Sequence, residues 1–137
     1  MAAVKTLIRA EEDGSISFGD YELDEKTKLS DFSHDGDVYK VKTFREITRL
    51  ERNDMFVYES VPGTAVSHLT YGDGSMSFTV DGPEDAQITV EGEPDSEYSV
   101  YINEEARDDQ KTNLGGKLSF SVELGSNSCA EVKIVKK

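Results

Sequence analysis

The residues that most often do covalent chemistry are scarce in this sequence. Its two histidines are His34 and His68, and its single cysteine is Cys129. A serine or cysteine nucleophile needs a base held beside it, usually a histidine. His34 adjoins a turn, His68 lies inside an expected strand, and Cys129 has no evident base. We therefore expect no nucleophilic catalysis, and these three residues do not make the usual structural zinc site.

Carboxylates, by contrast, are abundant, with 28 Asp and Glu residues against 15 Lys and Arg. A glycosidase needs two of them at a fixed separation, one with a pKa raised by burial. Most acidic residues here lie instead in expected turns, such as Glu104-Glu105 and Asp108-Asp109. With 28 acidic residues, some carboxylates lie close together by chance. A close pair is therefore not evidence of catalysis, and we predict no catalytic pair.

Three segments place oxygen ligands in expected loops: Asp35-Gly36-Asp37, Asp73-Gly74 and Asp81-Gly82. Calcium takes about six to eight oxygen ligands at defined positions, and none of these loops has the spacing of a calcium-binding loop. Asp before Gly is also what turns prefer for backbone reasons. No glycine-rich loop joins a strand to a helix, so nucleotide binding has no support. We expect no metal and no cofactor.

Composition excludes further classes of protein. The chain has 137 residues, enough for one domain or two small ones, and a formal net charge of -13. This charge opposes binding to nucleic-acid phosphates. No apolar run is long enough to span a membrane. One cysteine forms no disulfide within the chain, and residues 1–9 do not have the pattern of a signal peptide, so we expect a cytoplasmic location.

The elements that must position any site are expected to be strands. Short alternating segments between turn residues predict an all-β protein. After Val61-Pro62-Gly63-Thr64, where Pro and Gly redirect the chain, seven short strands follow at the even spacing of an Ig-like β-sandwich. They are expected at 66–71, 75–80, 87–91, 98–102, 111–114, 117–124 and 132–135, with a loop at 125–128. We therefore divide the chain into an N-terminal β-rich part, residues 1–62, and an Ig-like β-sandwich, residues 63–137.

The N-terminal part has one ambiguous segment, residues 44–52. Thr43 and Glu46 fit a capping box, and Phe44, Ile47 and Leu50 recur at helical spacing. This pattern favours a short helix, and the alternative is a hairpin that closes at Asn53-Asp54. Strands are expected at 4–10, 15–18, 38–42 and 55–60, and the charged residues 24–30 are expected to form a loop.

Two stretches, residues 98–103 and 111–122, resemble the last strands of bacterial Ig-like accessory domains. Tyr98, Val100 and Ile102 would face a core from one strand, and alternate residues of 118–122 would face it from another. Tyr101 then lies on the opposite face from Tyr98 and is exposed. The resemblance implies a fold and no activity.

The whole chain, and especially Phe56-Val57-Tyr58-Glu59-Ser60-Val61-Pro62-Gly63-Thr64-Ala65-Val66, resembles a group of short uncharacterised proteins from gut Firmicutes. Some members of that group carry an endosialidase label. The resemblance covers nearly the full length and implies a shared fold.

A sialidase would need an arginine cluster for the substrate carboxylate, a tyrosine nucleophile with a glutamate partner, and Asp-box repeats. Arg45, Arg49 and Arg52 would share one face of the expected helix, where ion pairs with neighbouring glutamates explain them. Ser33-His34-Asp35-Gly36-Asp37 is the closest segment to an Asp box, and it occurs once. We therefore expect a protein that is not an enzyme.

The remaining hypothesis is a non-catalytic structural or self-assembling protein that acts through β-sheet surfaces and strand edges, as a homo-oligomer. Strand edges that are not blocked invite pairing with another chain. The alternative is a glycan-binding accessory module. Unpaired edge strands would favour the first hypothesis, and exposed aromatic side chains clustered on one sheet face would favour the second.

Overall fold

The computed structural model describes residues 3–72, 74–124 and 128–137, and every regular element within them is a strand. The all-β prediction is therefore confirmed. The strands are β1 (Ile8–Ala10), β2 (Ile16–Phe18), β3 (Thr27–His34), β4 (Asp37–Phe44), β5 (Ile47–Arg52), β6 (Met55–Val61), β7 (Ala65–Gly72), β8 (Ser75–Gly82), β9 (Ala86–Glu91), β10 (Glu97–Ile102), β11 (Glu105–Ala106), β12 (Gln110–Lys111), β13 (Lys117–Val122) and β14 (Ser128–Lys136). The loop expected at 125–128 falls mostly outside the described residues.

The described strands form two antiparallel sheets that pack as a β-sandwich. Sheet A has the order β1-β2-β7-β8-β14-β10-β11, with β12 also paired to β10. Sheet B has the order β13-β9-β6-β5-β4-β3. Apolar side chains from both sheets meet in a shared core, where the ring of Tyr58 makes edge-to-face contacts with Phe18 and Phe78. The Ig-like topology of residues 63–137 remains a prediction.

Strands from both sides of residue 62 contribute to each sheet. Phe18 of β2 pairs with Val66 of β7 in sheet A, and Tyr58 of β6 pairs with Val90 of β9 in sheet B. The segment between β6 and β7 is tightly packed, because a Cβ atom on Gly63 would lie 2.0 Å from the carbonyl oxygen of Phe44. The division of the chain at residue 62 remains a prediction. In the structure the two parts share both sheets and one hydrophobic core.

The helix predicted for residues 44–52 is wrong, and the alternative hairpin is the observed structure. Phe44 ends β4, and Ile47 begins β5 directly opposite it. Thr48 and Leu50 are fully buried at a period of two, as a strand requires. Asn53 and Asp54 both adopt positive φ, at 52° and 65°, which closes the tight turn to β6.

The loop predicted for residues 24–30 is also partly wrong, because β3 begins at Thr27. The strand alternation is broken there by a bulge between Leu29 and Phe32, where Ser30 and Asp31 together oppose Lys40. Asp31 adopts a φ of 61°, which Asp tolerates better than most residues. The strand predicted at residues 111–114 is shorter than expected, since β12 ends at Lys111.

Candidate functional site

The three arginines of the expected helix face do not form a cluster. Arg45 lies in the turn between β4 and β5. Arg49 lies on the outer face of sheet B, where its guanidinium contacts Glu59 at 2.8 Å and Glu51 at 3.1 Å. Arg52, three residues further along the strand, points to the inner side and stacks on the ring of Tyr71 at 4.8 Å. A strand sends alternate side chains to opposite faces, so these residues do not make a joint carboxylate site.

The structure does bring Arg52 close to two tyrosines that the sequence analysis did not connect. The hydroxyls of Tyr39 and Tyr71 lie 2.6 Å apart, and both rings line a cleft of about 220 Å³ together with His34 and Asp37. A tyrosine nucleophile needs a lowered pKa. Burial, and then the hydrogen bond with Tyr71, raises the pKa of Tyr39 instead. The cleft therefore combines one arginine with two tyrosines, and among the residues that line it there is neither an arginine cluster nor a glutamate partner for a tyrosine.

His68 meets a serine and an aspartate, but not in the geometry of a catalytic triad. Its Nδ1 atom lies 3.2 Å from the Ser15 hydroxyl and 3.3 Å from the Asp13 carboxylate. In a triad the serine and the aspartate contact different ring nitrogens. Here both contact the same one, and the Ser15 hydroxyl donates its own hydrogen bond to Asp13 at 2.5 Å. The arrangement fixes the loop before β2 against β7 and has no free base for Ser15.

The remaining residues singled out in the sequence are dispersed. His34 contacts the backbone oxygen of Gly14 at 2.9 Å, and Asp35 lies in the turn between β3 and β4. Asp81 lies within β8 and is buried, so it is not in the loop that was expected there, and Asp73 falls outside the described residues. Cys129 is exposed on β14. Among the residues that the structure describes, no group of His, Cys, Asp and Glu side chains is placed to hold a metal ion.

A groove of about 680 Å³ lies on the outer face of sheet A. Its floor includes one row of side chains from three neighbouring strands, Tyr101, Lys133 and Ser77, which are register partners. The polar residues that line it are His68, Ser77, Thr79, Ser99, Tyr101, Glu104, Glu131 and Lys133. Tyr98 faces the core and is 5% exposed, and Tyr101 lies on the opposite face, as the parity of their positions predicted. Tyr101 is half-buried there rather than exposed.

The outer face of sheet B carries a row of positive charges in a protein whose net charge is -13. Lys28 of β3 lies directly opposite Lys42 of β4, which lies opposite Arg49 of β5. Like charges that face each other across strands destabilise a sheet. Arg49 is paired with Glu59 and Glu51, whereas Lys28 and Lys42 have no ion pair within 4 Å among the described residues. The row therefore ends in two uncompensated cations at the β3 edge.

Strand β3 is one of the two edge strands of sheet B, the other being β13. It is eight residues long, and in the described part of the chain only β4 pairs with it. Leu29 and Phe32 are its inward-facing apolar residues, and they are half-buried against the core. Lys28, Ser30, Asp31 and Ser33 are exposed. The edge thus presents backbone groups that no other described strand pairs with, and apolar side chains lie beside them. Its bulge and its exposed lysine oppose pairing with most strands, so only a strand of matching register would cover it.

Comparison with known proteins gave no match to any protein-family model, any curated protein or any solved structure. The described residues include no helix long and apolar enough to cross a membrane.

Proposed function

We propose that this protein is a non-catalytic, self-assembling structural protein that associates through its β-sheet edges. The observation that carries the proposal is the open edge of β3, with Leu29 and Phe32 only half-covered beside it. Addition of a strand satisfies the backbone groups of such an edge and buries its apolar side chains. The exposed Cys129 fits a reducing, cytoplasmic location, where thiols stay unpaired.

The absence of an assembled active centre at the three best candidate positions supports a role without catalysis. Tyr39 is held in its protonated form, the Ser15–His68–Asp13 contacts leave Ser15 without a base, and Arg49 is neutralised by its own glutamates. What these groups do is connect elements of the sandwich to one another.

The mass of the full chain in solution tests the proposal. Sedimentation equilibrium near physiological ionic strength should give a mass above 15.2 kDa that rises with protein concentration. Hydrogen exchange then locates the contact, because the amides of β3 should gain protection at high concentration while those of the edge strand β13 should not. A mass that stays at 15.2 kDa would contradict the proposal.

A second function, glycan binding, is favoured by the groove on sheet A. Tyr101 offers an aromatic face, and the neighbouring hydroxyl, carboxylate and ammonium groups are the donors and acceptors that sugar hydroxyls need. A glycan array with the wild-type chain and the Tyr101→Ala variant tests it. Binding that Tyr101→Ala abolishes would support the second function, and an array with no signal for the wild type would contradict it.

A further inference from the structure

We infer that β3 pairs antiparallel with β3 of a second copy across a two-fold axis, with Lys28 of each copy beside Asp31 of the other. This inference rests on the proposed self-assembly and names its partner and register. Three features of β3 carry it: its bulge, its apolar pair and its two opposite charges.

The bulge determines which register is allowed. Ser30 and Asp31 occupy a single position opposite Lys40, so Leu29 and Phe32 lie one position to either side of the bulge and both face inward. Residues directly opposite each other in an antiparallel ladder share a face. A two-fold axis through the bulge therefore places Leu29 of each copy opposite Phe32 of the other. Every other position then matches in face as well, since Lys28 opposes the outward-facing Ser33.

The apolar pair supplies a reason to associate. Leu29 and Phe32 are half-buried in one copy. In this register the contact between Leu29 of one copy and Phe32 of the other occurs twice, once on each side of the two-fold axis. Each side chain then covers the exposed part of its partner. Cross-strand pairs of an aromatic and an aliphatic residue are among the favourable ones in sheets.

The charges select the same register. Lys28 and Asp31 both lie on the outer face, where Lys28 is opposite Lys42 and Asp31 shares the bulge position opposite Lys40. When Lys28 opposes Ser33 of the second copy, Asp31 of that copy is its diagonal neighbour, within reach of a lysine side chain. The pairing brings a carboxylate of the second copy to the Lys28 end of the row Lys28–Lys42–Arg49, whose first two cations have no ion pair in the described part of a single copy.

The geometry also predicts a closed assembly. A two-fold contact uses the same edge on both copies, so β3 is consumed and the pairing stops at a dimer rather than growing into a filament. Sheet B then continues from one copy to the next through the two β3 strands.

The test is the difference that one background makes to the effect of one substitution, measured as the dimer dissociation constant of the full chain. This register also places the two Asp31 side chains beside each other across the two-fold axis, so Asp31→Asn in the wild type removes both the attraction to Lys28 and this repulsion. Lys28→Glu creates two repulsions and should weaken it by about tenfold to a hundredfold. Adding Asp31→Asn to Lys28→Glu removes those repulsions and should strengthen the dimer again. Asn tolerates the positive φ at position 31, so the variant keeps the strand conformation.

The matched control for net charge is Arg107→Glu, an exposed cation after β11 with no ion pair among the described residues. In that background Asp31→Asn should change the dissociation constant by the same factor as in the wild type. If Asp31→Asn changes it by the same factor in the Lys28→Glu background too, the β3 pairing is wrong, while self-assembly through another surface stands. A chain that is monomeric throughout would overturn both.

Discussion

The hydroxyl of Tyr39 lies 2.6 Å from the hydroxyl of Tyr71, and this contact joins β4 of sheet B to β7 of sheet A. The guanidinium of Arg52 covers the Tyr71 ring at 4.8 Å. The group therefore forms a polar contact between the two sheets.

The first prediction concerns this contact. Tyr71→Phe should lower the free energy of unfolding by about 1 kcal/mol, because the buried Tyr39 hydroxyl loses its partner. Urea denaturation measures the change. The matched control is Tyr101→Phe, which removes a hydroxyl from the outer face of sheet A. Equal losses in the two variants would contradict the role given to the Tyr39–Tyr71 contact.

The second prediction concerns a buried polar network at the other end of the core. The Thr64 hydroxyl lies 2.8 Å from the hydroxyl of Tyr58 and 2.7 Å from that of Ser60, and all three side chains are fully buried. Burial raises the pKa of Tyr58 to about 12, so this phenol stays protonated. Thr64→Val leaves two buried hydroxyls without this partner and should cost about 1–3 kcal/mol.

Thr64→Ser keeps the hydroxyl and should recover most of that stability in the same denaturation experiment. If Thr64→Ser is as destabilised as Thr64→Val, the effect comes from packing of the methyl group and not from the hydrogen bonds.

The third prediction concerns Gly63, where the sequence indicated a boundary. Its missing side chain lets the backbone approach Phe44, since a Cβ atom would meet the Phe44 oxygen at 2.0 Å. Gly63→Ala should therefore destabilise the fold by about 1–3 kcal/mol through overpacking. Gly115→Ala, where the nearest atom would be 3.4 Å away, is the control and should change stability by less than about 0.5 kcal/mol. A neutral Gly63→Ala would show that this segment is loosely packed.

The fourth prediction concerns pH. The Ser17 hydroxyl donates a hydrogen bond to the Glu11 carboxylate, and Arg9 contacts it at 3.0 Å. Both interactions hold the pKa of Glu11 below its ordinary value of 4.5. A carboxyl group with a lower pKa in the folded state stabilises the fold above pH 4.5 and loses that contribution as the pH falls through its folded pKa.

Glu11→Gln should therefore flatten the dependence of the unfolding free energy on pH below pH 4.5. Thermal denaturation across acidic pH values measures this. Glu12→Gln removes an equal charge from an exposed neighbouring position and serves as the control. Parallel profiles for wild type and Glu11→Gln would refute the assignment.

Local patterns were enough to predict the all-β class and the faces of Tyr98 and Tyr101, because strand parity is a property of neighbouring residues. They were not enough for residues 44–52. The Thr43 hydroxyl, expected to cap a helix, instead accepts a hydrogen bond from the Asp20 backbone at 2.9 Å and contacts Thr48 at 2.8 Å. Thr43 thus contacts a residue 23 positions away in the chain and does not cap a helix. The spacing of residues within the segment gives no sign of this contact.

The open edge was missed for a related reason. In β3 the bulge at Ser30 and Asp31 shifts the alternation by one residue, so Leu29 and Phe32 do not show the period of a strand. The Tyr39–Tyr71 contact joins residues 32 positions apart, and the row of Lys28, Lys42 and Arg49 exists only once the register of three strands is known. The candidate surfaces of this protein therefore consist of residues that strand pairing brings together, and no local sequence motif marks them.

The most direct test of self-assembly is the mass of the full chain by sedimentation equilibrium near physiological ionic strength. We predict a transition with increasing concentration from 15.2 kDa to twice that mass. A mass of 15.2 kDa that persists up to about 1 mM protein would leave less than about 4 kcal/mol for association, and it would contradict the account.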